Sequence, residues 1–227
     1  MADPTYCQAS INEFGSEIAF SEKNFADKVF ATRLEGVTDW PHKIEFREHS
    51  YRLNNYTGDT LSEWQERAVT VAFRMIQMRI TKASFRRERN RDVKVDIDVS
   101  FEPEDHFSSK FVLAHDYFPN QGDISSDCHI NDDWNWVPTV HMADAAHPPL
   151  IPILGHEFLH GMGFGHDTLP ESMGKELMYP SFNLGDPINR LGPRDLSRLQ
   201  GDFGEKKRPN WVWRYFVTRR NQGWDFY

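Results

Sequence analysis

The chain has 227 residues, enough for one domain with extensions and for a sizeable buried core. A formal net charge of -8 argues against wholesale nucleic-acid binding, and an aromatic content of 14% argues against disorder. Cys7 and Cys128 make no disulfide framework, no apolar run is long enough to span a bilayer, and Met1-Ala2-Asp3-Pro4 lacks the basic and apolar segments of a signal peptide.

In chain order, residues 1–36 read as an N-terminal extension. Ser21 can cap a short helix carrying Phe25, Val29 and Phe30 at helical spacing. The core, residues 37–204, opens at Trp40 and Pro41. Residues 51–57 read as a strand running into a turn at Gly58-Asp59. Thr60-Leu61-Ser62-Glu63 has the form of a capping box, and a long helix follows with Trp64, Ala68, Val71, Ala72, Met75 and Met78 as its apolar stripe. The basic run 86–91 reads as a solvated loop. Residues 93–99 alternate as a half-buried strand, and 111–118 and 128–136 supply two more. Pro148-Pro149 precedes a second helix, in which Pro152 is tolerable only in the first turn. A last helix starts at Pro193, turns Leu196 and Leu199 inward, and ends near Gly204. The order is strand, helix, three strands, helix, loop, helix, which is an α+β class. Residues 205–227 form a C-terminal extension in which Lys and Arg interleave with Trp, Tyr and Phe. It either folds back on the domain or docks a partner, for which a protein ranks ahead of a lipid surface or nucleic acid.

The second helix carries the chemistry. In His156-Glu157-x-x-His160, the two histidines lie one helical turn apart on one face and can reach one ion. Glu157, next to the first ligand, is placed to act as a general base. Gly163 allows the sharp turn that brings His166 back to the same ion. Three neutral imidazoles leave a fourth position for water, the pattern of a catalytic zinc.

The full spacing, with the motif Glu176-Leu177-Met178-Tyr179-Pro180 downstream, resembles the metzincin peptidases and, within them, the matrixin (matrix metalloproteinase-type) catalytic domain. Asp96-Ile97-Asp98-Val99-Ser100-Phe101, Leu113-Ala114-His115-Asp116-Tyr117-Phe118-Pro119 and Arg190-Leu191-Gly192-Pro193-Arg194-Asp195-Leu196 resemble other elements of that family. The likeness spans roughly residues 40–204. It implies a twisted, mostly parallel sheet of about five strands with an antiparallel edge strand and three helices. It also implies a zinc endopeptidase working outside the cell on protein substrates, although no signal peptide is seen. Met178 would form the floor below the zinc. Val112, Leu113 and Ala114 would pair with an extended substrate, and Pro152, Pro180 and Phe182 would line the pocket for a hydrophobic residue after the scissile bond.

The likeness also places His106, His115 and His129 on the histidine positions of a second, structural zinc. Ser108 stands where that site's aspartate is expected, and the following loop, a source of calcium ligands in the family, is shortened. Asn131 replaces an expected acid. Two readings remain: the three histidines hold zinc with Asp105, Asp127, Cys128 or water as fourth ligand, or they hydrogen-bond within the sheet. The Ca2+ pattern is incomplete. His141 and His147 receive no role. Two readings also remain for the extension at 1–36. It packs on the domain, or it crosses the cleft with Cys7 as a thiolate plug on the zinc. The alternative to an active peptidase is an inactive module that binds peptides or serves in a larger assembly. Glu157 weighs for activity.

Overall fold

The computed structural model describes residues 5–12, 15–20, 39–107, 112–120, 122–144, 146–182 and 190–206, with backbone alone at 5–20 and at Ser181–Phe182. The strands are β1 (Thr5–Asn12), β2 (Gly15–Phe20), β3 (Glu48–Leu53), β4 (Ser84–Arg87), β5 (Ile97–Glu102), β6 (Val112–Asp116), β7 (Cys128–Asn131) and β8 (Ser181–Phe182). The helices are α1 (Ser62–Gln77), α2 (Leu150–Gly161) and α3 (Pro193–Phe203). The helix expected after Ser21 and the tail beyond Lys206 lie outside the described residues.

The sheet order is β4-β3-β5-β7-β6-β2-β1-β8. Its first five strands are the sheet foreseen from sequence: β4, β3, β5 and β7 run parallel, and β6 joins β7 antiparallel. Three antiparallel strands then extend it, so β6 is not an edge. Its outer side pairs with β2, Ser16 opposite Asp116, Glu17 opposite His115 and Ile18 opposite Ala114.

Local chemistry explains where the expected boundaries move. β3 stops at Leu53 instead of running to Thr57 because Asn55 replaces the ladder with its side chain. Its amide donates to the Phe101 carbonyl at 2.6 Å and accepts from the Phe101 N–H at 2.7 Å. β5 starts at Ile97, since the Asp96 carboxylate takes the Ser50 N–H at 2.7 Å and leaves Val93 half-exposed. The basic run is partly strand: Arg86 and Arg87 end β4 and pair with Ser50 and Tyr51. The capping box does not form. Leu61 is the N-cap of α1, and buried Gln65 instead accepts from Thr57 N–H and donates to the Thr57 and Thr60 carbonyls. The buried face of α1 is Gln65, Ala68, Val69, Ala72, Phe73 and Ile76, rotated one position from the expected stripe.

That face packs α1 against α2. Phe73 stacks on Phe158 with centroids 3.8 Å apart, and Tyr51 lies 4.2 Å from Phe73 on the other side. A Cβ on Gly155 would stand 2.3 Å from the Met75 Cε and 3.3 Å from the Leu177 Cδ2, so a side chain there would displace the flexible end of Met75 between the two helices. α2 also lies against β6 and β7. The core thus holds α2 from both sides, and no residue from Pro152 to Gly161 reaches the surface.

Candidate active site

Apolar residues bury α2 on all sides, with Ile153, Leu154, Phe158 and Leu159 each at most 2% exposed. Its polar residues His156, Glu157 and His160 are therefore buried with it, at 1%, 0% and 0%. The helix ends at Met162, and Gly163 follows with φ 98°. A Cβ there would also lie 2.2 Å from the His42 carbonyl oxygen. The turn carries His166, itself buried, back over the helix.

Residues 39–44 strap this turn down. Trp40 N–H donates to the Gly163 carbonyl at 3.1 Å, and Lys43 Nζ reaches the same oxygen at 2.8 Å. Asp39 accepts from Gly165 N–H at 3.2 Å and pairs with Arg198 of α3, which donates to the Gly165 carbonyl at 2.7 Å. Phe118 sets its edge against the His160 ring, with Trp40 stacked on its other side.

The Nε2 atoms of His156, His160 and His166 converge: 2.9 Å between His156 and His160, 3.1 Å between His160 and His166, and 3.2 Å between His156 and His166. Zn–N bonds of about 2.0–2.1 Å at tetrahedral angles put ligand nitrogens roughly 3.3 Å apart, close to this triangle. The proton positions follow from the other ring nitrogens. His156 Nδ1 stands 2.6 Å from the Leu177 carbonyl, and His160 Nδ1 stands 2.6 Å from the Phe164 carbonyl. A carbonyl only accepts, so both Nδ1 atoms carry hydrogen and both Nε2 atoms present lone pairs. Burial lowers the His156 pKa to about 4 and pushes His160 well below its usual value, so both rings are neutral at pH 7. Neutral imidazole lone pairs aimed at one point fit a zinc ion.

Leu177 belongs to the turn that contains Met178, which is 1% exposed. Asp195, the third residue of α3, fixes that turn by accepting from Leu177, Gly192 and Met178 N–H. Glu176 replies by accepting from Arg194 and Asp195 N–H, both at 3.0 Å. Sequence reading placed α3 but not this function of Asp195; an acid three residues into a Pro-opened helix was the available signal. The Leu177 and Phe164 carbonyls have no side-chain signature at all. Asp116 is a further buried acid that the sequence reading passed over. It lies against Gly161, and burial, with Glu157 and Asp127 nearby, pushes its carboxyl well up.

The structure also gathers His106, His115 and His129. His106 Nε2 stands 2.7 Å from His129 Nδ1 and 3.4 Å from His115 Nε2, and the last two are 3.1 Å apart. Burial, then the neighbouring rings, lowers His115 to about 3 and His129 to about 4. Among the described residues neither histidine group includes a carboxylate or thiol. Asp105, Asp127 and Cys128 thus stand outside the trio. Asp127 accepts from Asp98 N–H, and Cys128, next to His129 on β7, falls on the opposite face of the strand. Neither group supplies the oxygen ligands calcium takes.

Val112, Leu113 and Ala114 are buried in β6, and Pro152 and Pro180 are buried beside the histidine site's own elements. Phe182 lies in β8, where the backbone pairs with Thr5 of β1. Cys7 sits in β1 at the register position opposite Ile18. No helix among the described residues is long and apolar enough to cross a membrane.

A family model described as Matrixin matches residues 39–204. The chain is 29% identical to human neutrophil collagenase over 174 residues, 74% of this chain and 34% of that protein. It is 31% identical to bovine interstitial collagenase over 166 residues, 70% of this chain and 32% of that one. Matrix metalloproteinase-25 from human is 35% identical over a shorter 96 residues, 41% of the chain and 16% of its relative. The chain spans about a third of the length of these two collagenases.

Proposed function

The chain belongs to the matrixin family of zinc metalloendopeptidases, and on that footing we propose that residues 37–204 hydrolyse peptide bonds in extended protein segments. The observation that carries this reading is the convergence of three imidazole Nε2 atoms with Glu157 buried one residue from the first. His156, His160 and His166 hold the zinc. When bound, zinc lowers the pKa of a water ligand to about 7 and polarises a carbonyl.

Glu157 takes the proton of the attacking water and returns it to the leaving amine. Met178 packs below the histidines. The outer side of β6 at Val112, Leu113 and Ala114, paired with β2 in this structure, is the side to which substrate main chain would add in place of β2. Pro152, Pro180 and Phe182 wall a pocket that selects a hydrophobic residue after the scissile bond. His106, His115 and His129 hold a second zinc with a structural role, water completing the set. By resemblance the substrate is met outside the cell. Neutrophil and interstitial collagenase are named for collagen, and this chain's own substrate is assigned only as an extended segment of protein.

Elemental analysis paired with cleavage of a quenched peptide, bearing leucine after the scissile bond, tests the assignment. Cleavage sensitive to chelator is expected, and Glu157→Ala should keep zinc while losing cleavage by at least a hundredfold. Undiminished cleavage by Glu157→Ala would refute it.

A further inference from the structure

The basic run 86–91 takes no part in the proposed peptidase reaction. β4, which ends in Arg86 and Arg87, is the terminal strand of the sheet, four positions from β6. Four inter-strand steps at about 4.8 Å each put it roughly 19 Å from β6. Beside the turn that follows β4 lies a cleft of about 380 Å³, which sets Arg52, Arg87, Arg89 and Arg91 against Glu66 and Glu88.

These charges do not cancel. Arg87 pairs with Glu66, which also accepts from the Tyr56 hydroxyl at 2.8 Å. Glu88 accepts from Arg86 Nη1 at 3.0 Å and from the N–H groups of Arg89 and Asn90 at 2.8 and 2.9 Å. Arg52 pairs with Asp98 at 3.3 Å and donates to the carbonyls of Asn90, Arg91 and Val93 at 3.3, 3.4 and 2.8 Å. Both glutamates are thus satisfied within the cleft, and Arg52 tethers the turn. Arg89 and Arg91 are left over. Both are exposed, and among the described residues neither guanidinium forms an ion pair; Arg91 reaches the Asn54 carbonyl at 3.2 Å. A solvated loop needs no such tether. Here one mostly buried arginine holds two uncompensated ones beside a cleft, so a ligand would find them already in place.

We propose that this cleft binds an acidic segment of a protein substrate, whose glutamate or aspartate side chains pair with Arg89 and Arg91. The substrate role rests on the peptidase reading above, and the binding rests on the cleft alone. Two features favour a peptide over a sulfated polysaccharide. Glu66 and Glu88 share the cleft and repel a densely charged chain. The alternation that turns the Glu88 N–H to the Tyr51 carbonyl turns the Arg87 N–H to the outer side of β4, where a peptide carbonyl can accept from it. A span of roughly 19 Å takes at least about six extended residues, so the cleft sorts long chains and is silent to short peptides.

Binding is measured first, by the anisotropy of a labelled decapeptide alternating glutamate and leucine, on the full zinc-loaded chain in a Glu157→Ala background. Arg89→Ala/Arg91→Ala should weaken it at least about tenfold. Arg67→Ala, which removes an exposed arginine of α1, should leave it within about twofold. Undiminished binding by the double variant overturns the site. So does an equal loss in Arg67→Ala, because charge anywhere would then serve. If the double variant loses its near-UV circular dichroism, Arg89→Ala alone replaces it, and no loss of binding there overturns the proposal. Dextran sulfate that displaces the peptide more readily than unlabelled peptide does, at equal charge, overturns the choice of a protein ligand. Cleavage is then measured with Glu157 present, on the quenched peptide with and without the decapeptide attached through a flexible linker of about 20 residues. The attached segment should lower KM at least about tenfold in the parent and less than about twofold in Arg89→Ala/Arg91→Ala. Equal KM values in the parent overturn the substrate role. A chain that binds the decapeptide through Arg89 and Arg91 but cuts neither substrate sinks the peptidase reading and leaves the binding site standing.

Discussion

Asp195 accepts a hydrogen bond from the backbone N–H of Leu177 at 2.5 Å, and the carbonyl of that same Leu177 faces His156 Nδ1 at 2.6 Å. One peptide unit thus joins the first turn of α3 to the first histidine of the site. Asp195 fixes the unit, and the unit fixes the tautomer and the ring of His156.

Removing that carboxylate leaves three backbone donors, at Leu177, Met178 and Gly192, short of the acceptor they share. Asp195→Ala should cost about 1–3 kcal/mol in urea denaturation, the range for a buried polar group left unsatisfied. Zinc affinity, measured by competition with a chelating dye, should fall about 10–100-fold as the ring loses its orientation. Asp195→Asn keeps one acceptor oxygen and should recover part of both losses. Unchanged zinc affinity in Asp195→Ala would show that the Leu177 carbonyl holds its place without α3.

Gly163 bears on the same site from the other end. Its φ of 98° is costly for any L side chain, and a Cβ would also meet the His42 carbonyl oxygen at 2.2 Å. Gly163→Ala should therefore destabilise by about 2 kcal/mol or more. Because the displaced turn carries His166, zinc should be lost at lower chelator concentration than from the parent. Calorimetry and metal analysis on one preparation read both effects.

The trio at 106, 115 and 129 gives a prediction by stoichiometry. Two zinc ions per chain are expected, falling to one in His129→Ala with cleavage of the quenched peptide retained. His156→Ala should also leave one zinc but abolish cleavage. A parent chain with a single zinc would mean that the trio only hydrogen-bonds within the sheet.

What was legible in the sequence follows from which interactions are local. The two histidines of α2, Glu157 and the glycine turn are fixed by helical period and backbone freedom, and all lie within eleven residues. The α1 stripe came out one position off because buried Gln65, a polar residue, belongs to the core face and its reason for burial is three backbone groups at Thr57 and Thr60. The sequence pattern overstates the length of β3 for a similar reason, since Asn55 imitates a strand with its side chain. The pairing of β2 with β6 joins residues about a hundred apart and has no local signature, so β6 read as a free edge.

Asp96 supplies a test against pH at a site away from the metals. It accepts from Arg47 Nη2 at 2.8 Å and from Ser50 N–H and Oγ–H at 2.7 Å each. Burial alone would raise its carboxyl, but the bonds from Arg47 and Ser50 outweigh it and hold the group well below the usual carboxylate range. A depressed carboxyl contributes stability that is fully present above its unfolded value, near 3.9, and is lost as pH falls toward the folded value. Arg47 is about half-exposed, so solvent screening reduces the contribution to about 1 kcal/mol at pH 7. In urea denaturation, Asp96→Asn should trail the parent by that amount at pH 7 and pH 5. The gap should narrow below about pH 4 and continue to close toward pH 2. A gap that stays constant across this range would mean that Asp96 acts by packing and neutral hydrogen bonding, with its charge contributing nothing to the anchoring of β3.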